Sequence, residues 1–168
     1  PVADACEEVV DVRGSLDTMR LVKDAHEIAL MRRACTISSA AHKRAMAFAR
    51  PGMYEYQVEA ELMHTFLREG AQAVAYNSIV ASGPNACVLH YRDNNRQMND
   101  GDLLLIDAGC EFQSYASDIT RTFPVNGRFA GPQKAVYEIV LAAQLACIDA
   151  VKPGVPFHDY HHVAERVL

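Results

Sequence analysis

Apolar residues recur at helical spacing in three stretches of this chain and at strand spacing through its middle. Leu30, Ala34, Ile37, Ala41, Ala45 and Phe48 make one helical face. Asp24-Ala-His-Glu27 opens that run with a capping-box signature, and Arg50-Pro51-Gly52 closes it. A second helix is predicted over about Tyr56 to Glu69, with Val58, Leu62 and Phe66 inward and Gly70 as its C-cap. Strands are predicted near 76–82, 87–91, 102–109, 112–116 and 118–124. Gly131-Pro132 then starts a third helix with proline at its first position, and Val136, Ile139, Val140, Ala143, Cys147 and Ile148 are its expected buried stripe. Tyr160, Val163, Ala164, Val167 and Leu168 return to helical spacing with no glycine cap or proline stop, so the chain reads as part of something longer. Residues 1–22, rich in Asp, Glu and Val with Gly14-Ser15 as a turn, read as a connector.

The pattern repeats itself once. The first helix stops at Arg50-Pro51-Gly52-Met53 and the third at Lys152-Pro153-Gly154-Val155, and another helix follows each time. Pro-Gly is common punctuation. The same helix, Pro-Gly, helix order occurring twice points to a duplicated unit, the first copy of which runs on into the strands.

Two acids break the strand pattern. Asp107 stands inside the apolar run Leu103-Leu104-Leu105-Ile106-Asp107-Ala108-Gly109, and Asp118 heads the β-branched run Ile119-Thr120. A carboxylate in such a place is costly unless something positive meets it. No Lys or His lies near in sequence, and Arg121 alone does not serve two acids; a divalent metal neutralises both. In a hairpin that sets 107 opposite 118, the two side chains share a face about 5 Å apart at Cβ. An Asp after a strand also turns loops and caps helices, so the pair by itself leaves both readings open.

Composition narrows the class. Half of the 168 residues are apolar, which is a globular composition, and the net charge of −5 gives no reason to expect nucleic acid. No apolar run approaches the roughly 18 residues of a membrane span. Cys6, Cys35, Cys87, Cys110 and Cys147 are odd in number and scattered without a C-x-x-C, which fits reduced thiols in a cytoplasmic protein. Cys110 follows Asp107 closely and reads as a small apolar strand residue. His158, His161 and His162 place two imidazoles on one helical face, but the internal repeat aligns that segment with an ordinary helix. His26, His42 and His64 read as helix-surface residues, and Asp100-Gly101-Asp102 as a turn before a strand.

Three segments at fixed spacing carry a family resemblance: Asn77-Ser-Ile-Val-Ala-Ser-Gly-Pro-Asn-Ala-Cys-Val-Leu-His90-Tyr91, Asp-Gly-Asp-Leu-Leu-Leu-Ile-Asp107-Ala-Gly, and Tyr115-Ala-Ser-Asp118-Ile-Thr-Arg-Thr-Phe-Pro. From about Leu21 to Pro156 the chain resembles the creatinase/methionine-aminopeptidase family, and within it the Xaa-Pro aminopeptidases, with proline dipeptidase as a close relative. The resemblance implies an α+β pita-bread fold, here its N-terminal half, with an antiparallel curved sheet and covering helices. Residues 1–22 are then a connector from a preceding N-terminal domain, and residues 23–168 the N-terminal portion of the metallopeptidase catalytic domain.

The implied activity is metal-dependent release of the N-terminal residue from peptides with proline in second position, by hydroxide attack from a dinuclear centre. Asp107 is implied to bind one ion in bidentate fashion and Asp118 to bridge two. His90 is implied as general acid/base or as stabiliser of the tetrahedral intermediate, and Tyr76 as a residue lining the site. The implied cofactor is two divalent ions, manganese by family habit, with zinc and cobalt compatible with the ligands. A His and two Glu complete the family's five ligands and do not occur before Leu168, so the isolated chain is expected to be inactive. The expected partner is a peptide substrate, with neither nucleic acid nor membrane, and the intact protein is expected to be a homo-oligomer. The alternatives are a proline dipeptidase and a non-catalytic binding module of the same fold; the module has little reason to keep both aspartates.

Overall fold

The computed structural model describes residues 10–168. The first nine residues of the expected connector, Cys6 among them, lie outside the described residues. The rest of the connector differs from expectation, because Gly14 and Ser15 lie inside a helix, α1 (Arg13–Leu21), and not in a turn. Val12 stands at its N-cap position without a side-chain cap bond, and Asp11 just before it accepts from the Arg13 backbone N–H at 3.0 Å and from its guanidinium.

Helix α2 (Ala25–Phe48) starts where the capping box places it. Asp24 Oδ1 accepts from the Glu27 N–H at 2.8 Å, and Glu27 Oε2 accepts from the Asp24 N–H at 2.7 Å. Its inward face is set differently from the one read in the sequence. Ala34, Ile37, Ala41 and Ala45 are buried, Leu30 is half-buried and Phe48 is exposed. Ser38 and His42, one column round the helix, are buried as well. His42 is therefore not a surface residue: one turn beyond Ser38, it donates from Nδ1 to the Ser38 carbonyl at 2.9 Å. Helix α3 (Glu55–Arg68) buries Val58, Leu62 and Phe66 as expected, and Gly70 follows its end at φ 93°.

Six short strands follow: β1 (Ala73–Val74), β2 (Ile79–Ser82), β3 (Leu103–Ala108), β4 (Cys110–Phe112), β5 (Tyr115–Ala116) and β6 (Ile119–Pro124). They make two antiparallel sheets, in the orders β1-β4-β5 and β2-β3-β6. β3 and β4 are one run broken at Gly109, and β5 and β6 one run broken at Ser117 and Asp118, so the sheets meet at this bend. The expected strand over 112–116 is instead a hairpin tip, with Gln113 and Ser114 both at positive φ as a two-residue hairpin loop requires. The expected strand over 87–91 does not form; a 3-10 helix (Gly83–Cys87) and a turn occupy that place.

The central strand β3 divides the fold. Leu104, Ile106 and Ala108 point into the core with Val58, Leu62, Phe66 and Ile37, while Leu103, Leu105 and Asp107 alternate to the other side and are half-buried. Each large core side chain contributes about 1.5–3 kcal/mol by leaving water. On the opposite face a smaller cluster forms from Ile79, Ala81 and Tyr91, with Ala86 and Leu105 against it. The register sets Asp107 opposite Ile79 on one side and Thr120 on the other, not opposite Asp118. Asp118 lies just before β6 because the bend at Gly109 takes up the residues that a regular hairpin would have paired.

Helix α4 (Gly131–Ala150) has proline in its first turn, as expected, and packs mainly on α5 (Asp159–Val167). Its apolar stripe is not buried. Val136, Ile139, Val140 and Ile148 are exposed, Cys147 is half-buried, and Ala143 alone of the six is buried, since among the described residues α5 is the main element packed on this helix. The repeated Pro-Gly stops form the same turn. Gly52 and Gly154 have φ of 88° and 86°, and Met53 N–H bonds to the Arg50 carbonyl as Val155 N–H bonds to that of Lys152.

At the bend, a Cβ built on Gly109 meets the Ser117 carbonyl oxygen at 1.7 Å. That oxygen belongs to backbone fixed on both sides, since Ser117 N–H donates to the Cys110 carbonyl at 2.9 Å. Gly109→Ala is therefore expected to destabilise the protein by about 3 kcal/mol, the upper part of the range for overpacking. The urea-denaturation midpoint checks this, and an unchanged midpoint would show that the bend tolerates a side chain.

Candidate metal centre

Asp107 reaches the site from the middle of β3, and Asp118 from the bend before β6. The phenol of Tyr76, in the loop between β1 and β2, joins them. Its oxygen lies 2.5 Å from Asp107 Oδ1 and 2.8 Å from Asp118 Oδ1. A phenol carries one proton and donates to one oxygen at a time, so one of the two carboxylates always faces it without a hydrogen. Burial first, and then the two carboxylates, push the Tyr76 pKa well above its ordinary value of 10.0, which keeps the hydroxyl protonated and donating. A convergence of two hard oxygen donors with no Lys or Arg among the described residues bonded to either acid fits a divalent cation. Arg121 plays no part, because it pairs with Ile106 in the sheet and its guanidinium donates to the Thr120 carbonyl.

The pocket here has a volume of about 280 Å³ and is lined by Tyr76, Asn77, Ile79, His90, Arg92, Asp107 and Asp118. All four residues singled out in the sequence thus border one cavity. His90 arrives differently from expectation: it does not end a strand but sits in a turn at φ 53°. An adjoining apolar pocket of about 200 Å³ shares His90 and Asp107 and is walled by Val88, Leu89, Ala81 and Leu105. A larger groove along the outer face of α2, about 810 Å³, contains neither acid. Among the described residues, no group of three His, Cys, Asp or Glu side chains is placed to hold a metal ion, so Asp107 and Asp118 stand as a pair. His161 and His162 bond instead to Glu165 on the surface of α5.

The sequence reading missed the residues that hold this site in place. Ser38 and Ser117 meet at 2.7 Å under the bend, and both hydroxyls accept from the Cys110 N–H at 3.1 Å. Cys110 itself is fully buried, as its small apolar character predicted. Asn94 accepts from the Val80 N–H and donates to the Ser78 carbonyl and to Glu59. Glu55 is fully buried and accepts from Ser82, Asn85, Tyr91 and Arg96. One signal was available for Glu55: it lies three positions before Val58, in phase with the inward stripe of α3, where a charge needs a partner.

Residues 29–168 match the family described as metallopeptidase family M24. This chain belongs to that family. It is 53% identical over 147 residues to an Xaa-Pro aminopeptidase of Haemophilus influenzae, covering 88% of this chain and 34% of that protein. It is similar to the structure of Pseudomonas aeruginosa aminopeptidase PepP, at 52% identity and a TM-score of 0.93, over 94% of this chain and 36% of the other. It is also similar to zinc-substituted Escherichia coli aminopeptidase P in complex with product, at 48% identity and a TM-score of 0.92, with the same coverage. The fold of this M24 chain is accordingly the pita-bread fold of aminopeptidase P, of mixed α+β class. The chain spans about a third of the length of the relatives it matches.

The charge on Glu55 generates a pH dependence. Burial pushes its pKa up, but hydrogen bonds from Ser82, Arg96 and Tyr91 outweigh this and hold it below the ordinary 4.5. A folded value below the unfolded one means stability that is complete above pH 4.5 and lost as pH falls through the folded value. Wild-type protein is expected to lose stability on this acid limb. Glu55→Gln is expected to show a shallower limb and, at pH 7, a loss of about 1–3 kcal/mol from donors left facing an amide NH2. Urea midpoints between pH 3 and 7 read both effects, and parallel acid limbs would place the titrating group elsewhere.

Proposed function

We propose that this chain carries the first two metal ligands of an Xaa-Pro aminopeptidase, which releases the N-terminal residue from peptides with proline in second position. The observation that supports this most directly is the meeting of Asp107 and Asp118 at the Tyr76 hydroxyl. On this reading residues 23–168 are the N-terminal portion of the catalytic domain, with residues 1–22 leading into it. The cofactor on this reading is a pair of divalent ions, manganese by the family resemblance, with zinc and cobalt also compatible with these ligands. When bound, such a pair supplies Lewis acidity and a nucleophile at neutral pH.

The residues of this chain divide the remaining work. Asp107 and Asp118 hold the ions, and Tyr76 donates to the carboxylates and fixes their orientation. His90, on the wall of the same pocket, donates to the oxygen that gains negative charge as the peptide carbonyl is attacked. The apolar pocket beside it, walled by Val88, Leu89 and Leu105, receives a substrate side chain and keeps water out. No helix among the described residues is long and apolar enough to cross a membrane. A cytoplasmic setting and a homo-oligomeric intact protein belong to the same proposal; the four described cysteines are all free thiols.

The test is peptide hydrolysis by the intact protein, the isolated chain being expected to show none. Removal of its metal by a chelator should abolish release of the first residue from an Arg-Pro-Pro peptide, and manganese should restore it. Peptides with alanine in second position should be poor substrates. Cleavage confined to dipeptides would instead mark a proline dipeptidase, and binding without cleavage a non-catalytic module.

Two substitutions separate the roles. Asp118→Ala is expected to abolish turnover and release metal while leaving the fold intact, since the side chain is exposed and outside the core. Near-normal turnover with full metal content in that variant would remove Asp118 from the ligand set. His90→Ala is expected to lower kcat by about a hundredfold with metal content unchanged. Loss of metal from it would make His90 a ligand.

A further inference from the structure

We propose that Glu55 is a positioning residue, whose buried carboxylate gathers the segment 82–96 and thereby sets His90 in place beside Asp107 and Asp118. The inference rests on the role given to His90 above and extends it to a residue outside the pocket. Glu55 is fully buried at the start of α3, and no cation pairs with it among the described residues. All of its side-chain partners come from one irregular stretch. Oε1 accepts from the Ser82 N–H at 2.7 Å, from the Ser82 hydroxyl at 2.7 Å and from Asn85 Nδ2 at 3.2 Å. Oε2 accepts from the Tyr91 hydroxyl at 2.7 Å and the Arg96 N–H at 3.0 Å.

Those partners mark out a loop. Ser82 ends β2, Arg96 lies at the far end of the segment, and the Arg96 guanidinium closes the circle on the Ser82 hydroxyl at 2.8 Å. Tyr91, gripped between them, is the chain neighbour of His90. The stretch from the end of the 3-10 helix to Arg96 has no strand or helix hydrogen bonds of its own to define it. His90 and Asn94 both hold left-handed backbone, at φ 53° and 45°. Such conformations persist where the surroundings over-determine them. Here Glu55 and Asn94 supply that constraint from opposite sides, so weakening one of them should shift the loop without unravelling it.

Tyr91→Phe removes the 2.7 Å hydrogen bond to Glu55, together with two longer contacts to Asn95 at 3.4 Å, and leaves the ring in its cluster, and Glu55→Gln disturbs the whole hub. In the native protein, both are expected to lower kcat toward an Xaa-Pro peptide by about ten- to a hundredfold, the effect of misplacing a reacting group, with KM and bound metal nearly unchanged. Placed on His90→Ala, the same substitutions should cost almost nothing further, because they act through His90. Hydrogen exchange should rise at 83–92 and stay unchanged in α2 and β3. Equal kcat losses in both backgrounds, or unchanged exchange at 83–92, would overturn the assignment. If the native protein cleaves no Xaa-Pro peptide, exchange decides alone: faster exchange at 83–92 supports Glu55 as the organiser of the loop while the peptidase reading falls, and unchanged exchange overturns both.

Discussion

Two carboxylates held against one phenol are the constraint around which this chain is arranged. Asp107 is carried by the central strand of a sheet whose other face is the hydrophobic core, so its position is set by the packing of Leu104, Ile106 and Ala108. Asp118 must then be brought to it from just ahead of the neighbouring strand, where the register sets Thr120 and not Asp118 opposite Asp107. The bend at Gly109 does this: the Ser117 carbonyl passes so close that no side chain fits, and the Ser38–Ser117–Cys110 hydrogen bonds pin the backbone there. Two like charges that share one phenol repel each other. A fold that spends its most rigid strand and a glycine-dependent bend on bringing them together makes structural sense if a cation joins them.

The sheet separates stability from chemistry. Side chains of β3 alternate, one set locked between α2, α3 and the sheet, the other, with Leu105 and Asp107 lining the pockets, on the opposite face. Substitution on the first set is felt as lost packing throughout the main core, whereas Leu105 on the second packs only against the smaller cluster. The same division explains the small second cluster of Ile79, Ala81, Tyr91 and Leu105: it is too slight to anchor the domain but gives the segment bearing His90 an apolar floor.

Local signals were legible in the sequence where the forces that use them are local. The Asp24/Glu27 capping box, the Pro-Gly stops, the inward face of α3 and the strand over β3 all appear where the sequence put them. Asp107, Asp118, Tyr76 and His90 do border one pocket, although the register pairs Asp107 with Thr120. The segment 87–91 was misread because Cys87, Val88 and Leu89 look like strand; Leu89 is 86% exposed and walls a pocket instead of filling a core. The true constraint on that segment is Glu55, distant in sequence and invisible to any periodicity except as a charge on an inward face. Gly14-Ser15 failed as a turn because the two residues lie inside the first turn of α1, which tolerates weak helix formers at its end.

Helices α2 and α4 show how far local code reaches. Both end in a basic residue, Pro and Gly, and both turns close with the same hydrogen bond and nearly the same glycine φ. Each turn leads into a partner helix that packs back on the first. Yet Ala34, Ile37, Ala41 and Ala45 are buried in one helix, while Val136, Ile139 and Val140 are 47–63% exposed in the other. Turn chemistry and helix propensity act over a few residues and give the same result twice. Burial depends on what lies across the helix: α2 has the sheet and α3, and α4 has chiefly α5. An apolar stripe in sequence therefore predicts a helix more securely than it predicts a core, and the larger, more apolar stripe of α4 is the exposed one.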